Sequence, residues 1–327
     1  MFKNLTALRI QNDWHLSHSA AERAAQKLRF TECGPTQAIT AGWIEPRGVK
    51  NGPLIEAIDG QWMMSLHVQT KLLPAGVVKK RMEERVEEIR DREGRKPGKK
   101  EVREIKEQVT MELLPKAFSK FETISIWIDR SGKTVVFDTT SNNKVDMTTS
   151  ALLKTFEDLA LSHINTEQSP SACMSAWLLD GDAPANFTVD SECELKSNDE
   201  RRSAVKYSRH NLDVDEVKQH IQHGKSPTQL AMTWNSRVSF VLTAGMALKK
   251  ITFLETPLLK KSQGDEEPFD ANSVIVTGEL RKLLPDLIEA LGGEAEFGAA
   301  ADGARAGGDA AAGHESADEQ AEELSEA

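Results

Sequence analysis

The sequence predicts an α+β fold, and three observations carry that expectation. Apolar runs of strand length face each other across tight-turn dipeptides, which indicates antiparallel hairpins. Other stretches repeat apolar residues every three or four positions, as amphipathic helices do. No fixed sequence period emerges, which excludes a solenoid and leaves hairpins mixed with helices.

The elements follow in order along the chain. Leu5 to Gln11 reads as a strand. The helix after it carries Ser19-Ala-Ala-Glu22, a capping-box pattern in which Ser and Glu reciprocally satisfy free helix-start amides. Leu54 to Ile58 and Gln61 to Leu72 flank Asp59-Gly60, a dipeptide suited to a tight hairpin turn whose central residues both need positive φ. A second hairpin joins Thr123–Ile128 to Thr134–Phe137 around Ser131-Gly132. A third joins Val238–Leu242 to Leu248–Phe253 across Ala244-Gly245. Helical spacing marks about Val145 to Leu161 and Glu279 to Leu291. Pro285 kinks the latter or begins a new helix, and Gly292-Gly293 stops it.

Between Lys79 and Glu107, 21 of 29 residues are charged, 12 basic and 9 acidic. Val78, Met82, Val86 and Ile89, then Val102, Ile105 and Val109, keep helical spacing on either side of Gly94 and Pro97-Gly98. The pattern is a helical hairpin with a narrow apolar seam, and it reads either as a solvated structural arm or as an arm that meets phosphate. At its turn Arg92, Arg95, Lys96, Lys99 and Lys100 outnumber Asp91, Glu93 and Glu101. A basic tip suits phosphate contact. The resulting organisation is a central α+β region over 1–74 and 115–170, the charged hairpin over 75–114, a second α+β region over 171–293, and an acidic tail over 294–327.

The 327 residues carry 39% apolar side chains and no run long enough to span a membrane. The N-terminus lacks an apolar h-region and a small-residue cleavage site, so no signal peptide is expected. Cys33, Cys173 and Cys193 are odd in number, far apart and without CxxC pairing, which argues against a disulfide framework or a structural zinc and for a cytoplasmic setting. The net charge of −10 sits almost wholly in the tail: Glu294 to Ala327 holds ten acidic residues against Arg305 alone, which leaves −1 for the rest. Such a segment cannot bury enough apolar surface to offset ordering entropy and is expected to be disordered.

Catalytic signatures fail one by one, so no enzyme, metal or cofactor is expected. Gly224-Lys225-Ser226 has the end of a P-loop, but Gln219 stands where the earlier glycine belongs and the segment ends a helix. That helix opens with Asp213 as cap, Glu216 at its third position and Leu212 stapled to Val217. His220 and His223 lie three apart on it with no third ligand at a recognisable spacing, so they read as surface histidines. Basic-aromatic clusters fare better. Leu113-Leu-Pro-Lys-Ala-Phe-Ser-Lys-Phe121 sets Lys116 and Lys120 beside Phe118 and Phe121, which either belong to the core or offer rings to bases or a partner. Arg201, Arg202, Lys206, Arg209, His210, Lys218 and Lys225 form a second concentration.

These segments resemble the RdgC family of bacterial recombination-associated proteins. The matching stretches are Gly42-Trp-Ile-Glu-Pro-Arg-Gly48, Lys71-Leu-Leu-Pro74 with Val78-Lys-Lys80, Leu113 to Phe121 leading to Trp127-Ile-Asp129, and Leu230-Ala-Met-Thr-Trp234 with Arg237 and Phe240. Leu248-Lys-Lys-Ile-Thr-Phe253 follows, then Phe269-Asp270-Ala271 through Thr277-Gly-Glu-Leu280 to Leu291-Gly-Gly293. The resemblance implies a horseshoe-shaped subunit of hairpins, sheets and helices with a projecting helical hairpin, pairing at both ends into a ring dimer. It implies binding of single- and double-stranded DNA without sequence preference, at the nucleoid, and restraint of RecA-dependent recombination by occupying DNA. Matched by motif, Lys116 and Phe118 stand at the family's Arg and Phe near one ring contact, and Arg209 and His210 at its Lys-Gln pair facing the hole. Lys225 matches the lysine after the glycine, and Arg95 an arginine on the arm. His210 departs from the family's neutral amide, and the acidic tail has no counterpart in shorter members. The alternatives are a protein-interaction module acting directly on recombinase filaments and a nuclease.

The tail generates a first test. A flexible tether of about 34 residues reaches roughly 30 Å, enough to visit basic surfaces at Lys116, Arg209 or Arg95. Removal of residues 297–327 is expected to tighten DNA binding at low salt, with the gain shrinking as salt shortens the Debye length to about 8 Å. Matched binding curves at low salt would eliminate competition by the tail.

Overall fold

A computed structural model of the chain describes residues 2–197, 203–254 and 267–295. Arg201 and Arg202, and the acidic segment from Glu296 onward, lie outside the described residues. The fold is mixed α+β, with two antiparallel sheets and seven helices among those residues. The first sheet contains β1 (Thr6–Ile10), β2 (Ile39–Ile44), β3 (Glu56–Ile58), β4 (Gln61–Leu72), β5 (Phe118–Asp129), β6 (Thr134–Phe137) and β7 (Leu161–His163) in the order β2-β4-β5-β6-β1-β7. β3 shares with β2 the edge of β4 that faces away from β5. The second sheet contains β8 (Phe187–Ser197), β9 (Ala204–Ser208), β10 (Lys225–Trp234), β11 (Val238–Thr243) and β12 (Leu248–Phe253) in the order β12-β11-β10-β8-β9.

Alternation along β4 sends side chains into two different cores. Trp62, Met64, Leu66 and Val68 face a core shared with α1 (His18–Lys27) and the later helix α4 (Asn142–Thr155), which also holds Trp43, Ile126, Phe137 and Leu152. Met63 faces the other way, with Trp127 and Val136, into a core built by the second sheet and the helices α5 (Pro170–Asp180), α6 (Asp215–Gln222) and α7 (Glu267–Ala290). The first sheet is therefore covered on both faces where these cores meet it. Buried indole N–H groups need acceptors. Trp43 Nε1 donates to Thr155 Oγ1 at 2.8 Å, Trp127 Nε1 to Gln61 Oε1 at 2.8 Å and Trp234 Nε1 to Asp286 Oδ2 at 2.8 Å.

The N-terminal segment ties the sheets together. Leu5 exchanges two backbone hydrogen bonds with Leu248 of β12, at 2.8 and 2.9 Å, before the chain enters β1 of the first sheet. Past α7 the chain returns to the first sheet: Glu294, expected to open the disordered tail, instead pairs with Thr166 by backbone and forms an ion pair with Arg9, so the tail begins later.

The charged hairpin forms, with one difference: Val102, which the spacing puts on the apolar seam, is not part of it. α2 (Ala75–Glu93) and α3 (Lys99–Leu113) close on a seam of Val78, Met82, Val86, Ile89, Ile105 and Val109, joined by Leu73 and Leu113. Arg81 and Arg85 both reach Glu112 across the hairpin, at 3.6 and 3.3 Å.

The expected hairpins are present, and Asp59 and Gly60 both take positive φ, at 49° and 74°. Other details differ. α1 is capped by Ser17, whose hydroxyl accepts from Ala20 N at 3.3 Å, so Ser19 lies inside the helix. Glu22 instead accepts from the amides of Leu54 and Ile55 and clamps α1 to the strand entry. Val214 occupies the cap position of α6, because Asp213 pairs with Lys218 at 3.0 Å. α4 ends at Thr155: backbone and side-chain bonds from Asn12 and Gln11 draw residues 158–160 toward the sheet, and Leu161 becomes β7. α7 starts twelve residues before Glu279, since Asn272, Ser273 and Thr277, buried positions of its early half, are polar residues that interrupt the apolar pattern. Pro285 sits within that single helix.

Gly42 marks the closest backbone approach in the first sheet. Residues 28–30 pair with β2 through Trp43 N to Leu28 O and Phe30 N to Trp43 O, both 2.9 Å. A Cβ on Gly42 would lie 2.4 Å from Phe30 Cα, so this backbone would have to move. Gly42→Ala is expected to cost about 1–3 kcal/mol, as overpacking does. An unchanged urea midpoint would refute the close approach.

Candidate nucleic-acid interface

Ion pairing sorts the basic residues that the sequence singles out. On the arm, Arg95 binds Glu93 at 2.7 Å and Glu101 at 2.8 Å, and the Arg95 guanidinium holds the Glu101 carboxyl below the usual carboxylate range. Its charge is thus locally compensated. Lys96 and Lys99 at the same tip form no ion pair among the described residues.

Lys116 closes a single 3-10 turn, Leu114–Lys116, that turns α3 into β5. It is exposed and makes no ion pair among the described residues. Phe118 begins β5 opposite Leu72 and is 86% exposed. Lys120 lies two residues on, on the same strand face, and pairs with Glu122 at 3.3 Å. Lys144 of α4 also binds Glu122, at 2.8 Å, and holds that carboxyl below its usual range. Phe121 projects from the opposite face, so β5 divides the aromatic residues that the sequence places together. Neither ring is core: Phe121 is half-exposed and stacks on His67, with centroids 5.6 Å apart and planes 15° apart. Phe30 meets the same imidazole edge-on at 4.7 Å, and burial pushes the His67 pKa down.

The second basic group gathers around Tyr207, the chain's single tyrosine. Its ring lies 5.5 Å from that of His210 and 6.4 Å from that of His220. His220 Nδ1 meets Lys225 Nζ at 3.3 Å, which brings Lys225, the first residue of β10, to the same neighbourhood. His210 is exposed, and its Nδ1 lies 2.6 Å from Asn211 O, an acceptor that fixes the proton on that nitrogen. Arg209 is exposed at φ 54°, a left-handed conformation that costs a non-glycine residue about 1–3 kcal/mol. Lys206 faces Glu192 at 4.0 Å and Lys218 faces Asp213 at 3.0 Å, whereas Arg209 and Lys225 meet no carboxylate among the described residues.

Lys116, Arg209 and Lys225 therefore keep uncompensated charge, while Arg95 and Lys120 are paired. The first cluster stands at the arm end of β5 and the second on the other sheet. From Phe118 to Asp129, where the strand meets α7, β5 alone spans about 36 Å at the usual rise. Sequence reasoning missed Tyr207, whose role appears only when β9 and α6 meet, and the Phe30–His67–Phe121 stack, whose members come from three separate segments. Cys173 and Cys193 are buried, and burial pushes the Cys193 thiol up to about 12, which leaves no reactive thiolate there at neutral pH. No helix among the described residues is long and apolar enough to cross a membrane.

Comparison with known proteins supplies context for these surfaces. A family model described as "Putative exonuclease, RdgC" matches residues 1–294. A relative from Bordetella pertussis, named "Recombination-associated protein RdgC", is 41% identical over 298 residues, covering 90% of this chain and 98% of its own. Proteins of the same name from Dechloromonas aromatica and Cupriavidus pinatubonensis are 38% identical over 301 residues and 41% over 297, each covering 90% of this chain and 98% of the relative. The relatives' names state an association with recombination and no enzymatic activity, whereas the family description names an exonuclease.

Proposed function

The chain belongs to the RdgC family, and on that premise we propose that it binds single- and double-stranded DNA without sequence preference. In this reading a horseshoe-shaped subunit pairs at both ends into a ring dimer that encircles DNA, at the nucleoid in the cytoplasm. Occupancy of DNA by the ring then antagonises RecA-dependent recombination.

One observation carries the DNA reading: among the described residues, Lys116 and Arg209 are exposed and Lys225 partly exposed with no carboxylate partner, as are Lys96 and Lys99 at the arm tip, so each can meet an external anion. Unmatched cations bind phosphates by releasing the counterions condensed on DNA, a gain independent of base sequence. The described elements place no helix that reads as a base-recognition module, which favours backbone contact. Phe118 supports self-association. A phenylalanine 86% exposed beside the 47%-exposed Leu72 is an apolar surface that a second subunit would cover.

The reading is non-catalytic, in line with relatives whose names state an association with recombination and no enzymatic activity. Incubation of bound duplex with magnesium is expected to return it uncut.

Binding to unrelated duplexes, without any recombinase present, is expected to be equally tight and to fall steeply with salt. Lys116→Glu and Arg209→Glu should each weaken it severalfold, with melting shifted by no more than about 0.5 kcal/mol, as for surface changes generally. Unchanged affinity in both variants would show that these surfaces do not meet DNA. Phe118→Ala should leave the melting of the subunit within the same margin while lowering the oligomeric mass measured by light scattering. A dimer of undiminished stability would place the contact elsewhere.

A further inference from the structure

A cation outside both clusters is held in an arrangement that the proposed surfaces do not use. Among the described residues, Arg23, Arg130 and Arg209 are the arginines that meet no carboxylate, and Arg130 alone of these is partly buried. Its guanidinium carbon lies 4.7 Å from the Trp62 ring centroid and 5.9 Å from that of Trp14. Its Nε is buried without an acceptor among the described residues. A guanidinium carries its N–H groups in one plane, and the two terminal nitrogens form a fork that matches two oxygens of one anion.

The surrounding fold fixes this fork. Arg130 follows β5 at the turn into β6. Asp129, the preceding residue, faces the opposite side of the sheet, where its carboxylate takes Ser131 Oγ at 2.7 Å, Gly132 N at 2.9 Å and Arg281 Nε at 2.9 Å. Asp13, beside Trp14, is engaged by Lys133 Nζ at 2.6 Å. Asp129 and Asp13 are thus each engaged by another cation, and Asp59 at the β3–β4 turn makes no ion pair with Arg130.

We propose that Arg130 is a phosphate-binding residue, a rigid guanidinium fork on Trp62 that takes a phosphodiester of bound DNA. This rests on the DNA reading above and extends it to the β5–β6 turn, at the end of β5 away from Phe118. The ligand chemistry is an oxyanion with two accessible oxygens, and a polymer of phosphodiesters presents one at every residue.

The test is a salt series of duplex binding by the full chain, wild type against Arg130→Gln and Arg130→Lys, with melting curves recorded for each. Arg130→Gln is expected to weaken binding severalfold at low salt and to lower the log–log salt slope by about 0.9, the value for one phosphate. Arg130→Lys should keep the slope and lose part of the affinity, since an ammonium keeps the charge but not the fork. If Arg130→Gln does not fold, reduced affinity of Arg130→Lys supports the site and unchanged affinity overturns it. Wild-type binding with Arg130→Gln unchanged in affinity and slope overturns the proposal while leaving the DNA reading intact. Tighter binding by Arg130→Gln, together with a change in tryptophan emission on removing residues 296–327 that the variant does not show, would assign the fork to the chain's own carboxylates and also overturn it. Failure of the wild type to bind duplex would refute the DNA reading itself, and this proposal with it.

Discussion

The carboxylate of Asp129 is 4% exposed and must find its full complement of donors inside the protein, because an unpaired buried charge is prohibitive. It finds them on three elements at once: its own turn through Ser131 and Gly132, and α7 through Arg281. Gly132 is required for this, since a Cβ there would lie 2.5 Å from Asp129 Oδ2. The same interaction closes the β5–β6 hairpin, docks the longest helix on the first sheet, and sends the neighbouring Arg130 to the opposite face. Around it the larger core forms, with Trp127 and Val136 from the first sheet meeting Leu280, Leu284 and Leu287 of α7.

Much of the first sheet and the arm was legible because each depends on short-range patterns. Asp59-Gly60 fixes its turn by local conformational preference, and Val78, Met82, Ile105 and Val109 close a seam whose spacing is visible without knowing the partner helix. The second sheet was legible only at its β11–β12 hairpin. β8 and β10 pair across a connection of nearly thirty residues with two register shifts, and nothing in either strand names the other. The early half of α7 was hidden for a different reason. Ser273 and Thr277 are buried, Thr277 Oγ1 satisfying itself on Ser273 O at 2.8 Å, so a core-facing stripe there carries polar letters.

The candidate site shows the same division. Residue type and clustering singled out Arg95, Lys116, Lys120, Arg209 and Lys225 alike; that Arg95 and Lys120 are ion-paired while the others are not is a tertiary property. Glu122 illustrates the point: it neutralises Lys120 from two positions away and Lys144 from a helix 22 residues on, so the charge of this stretch cannot be summed from sequence neighbours. The surface that remains positive is set by which carboxylates the fold spends on structure.

The pairing of Leu5 with Leu248, and of Ile251 with Lys3, also has a bearing on how the protein is made. Those first residues leave the ribosome some 240 positions ahead of their partners, which at 5–20 residues per second is roughly 10–50 s. Until β12 emerges they have no backbone mate in the second sheet, so the two sheets are stitched by the oldest part of the nascent chain acting late. Synthesis through β12 therefore precedes this step of assembly, and a polypeptide released short of β12 keeps its N-terminal pin unfastened.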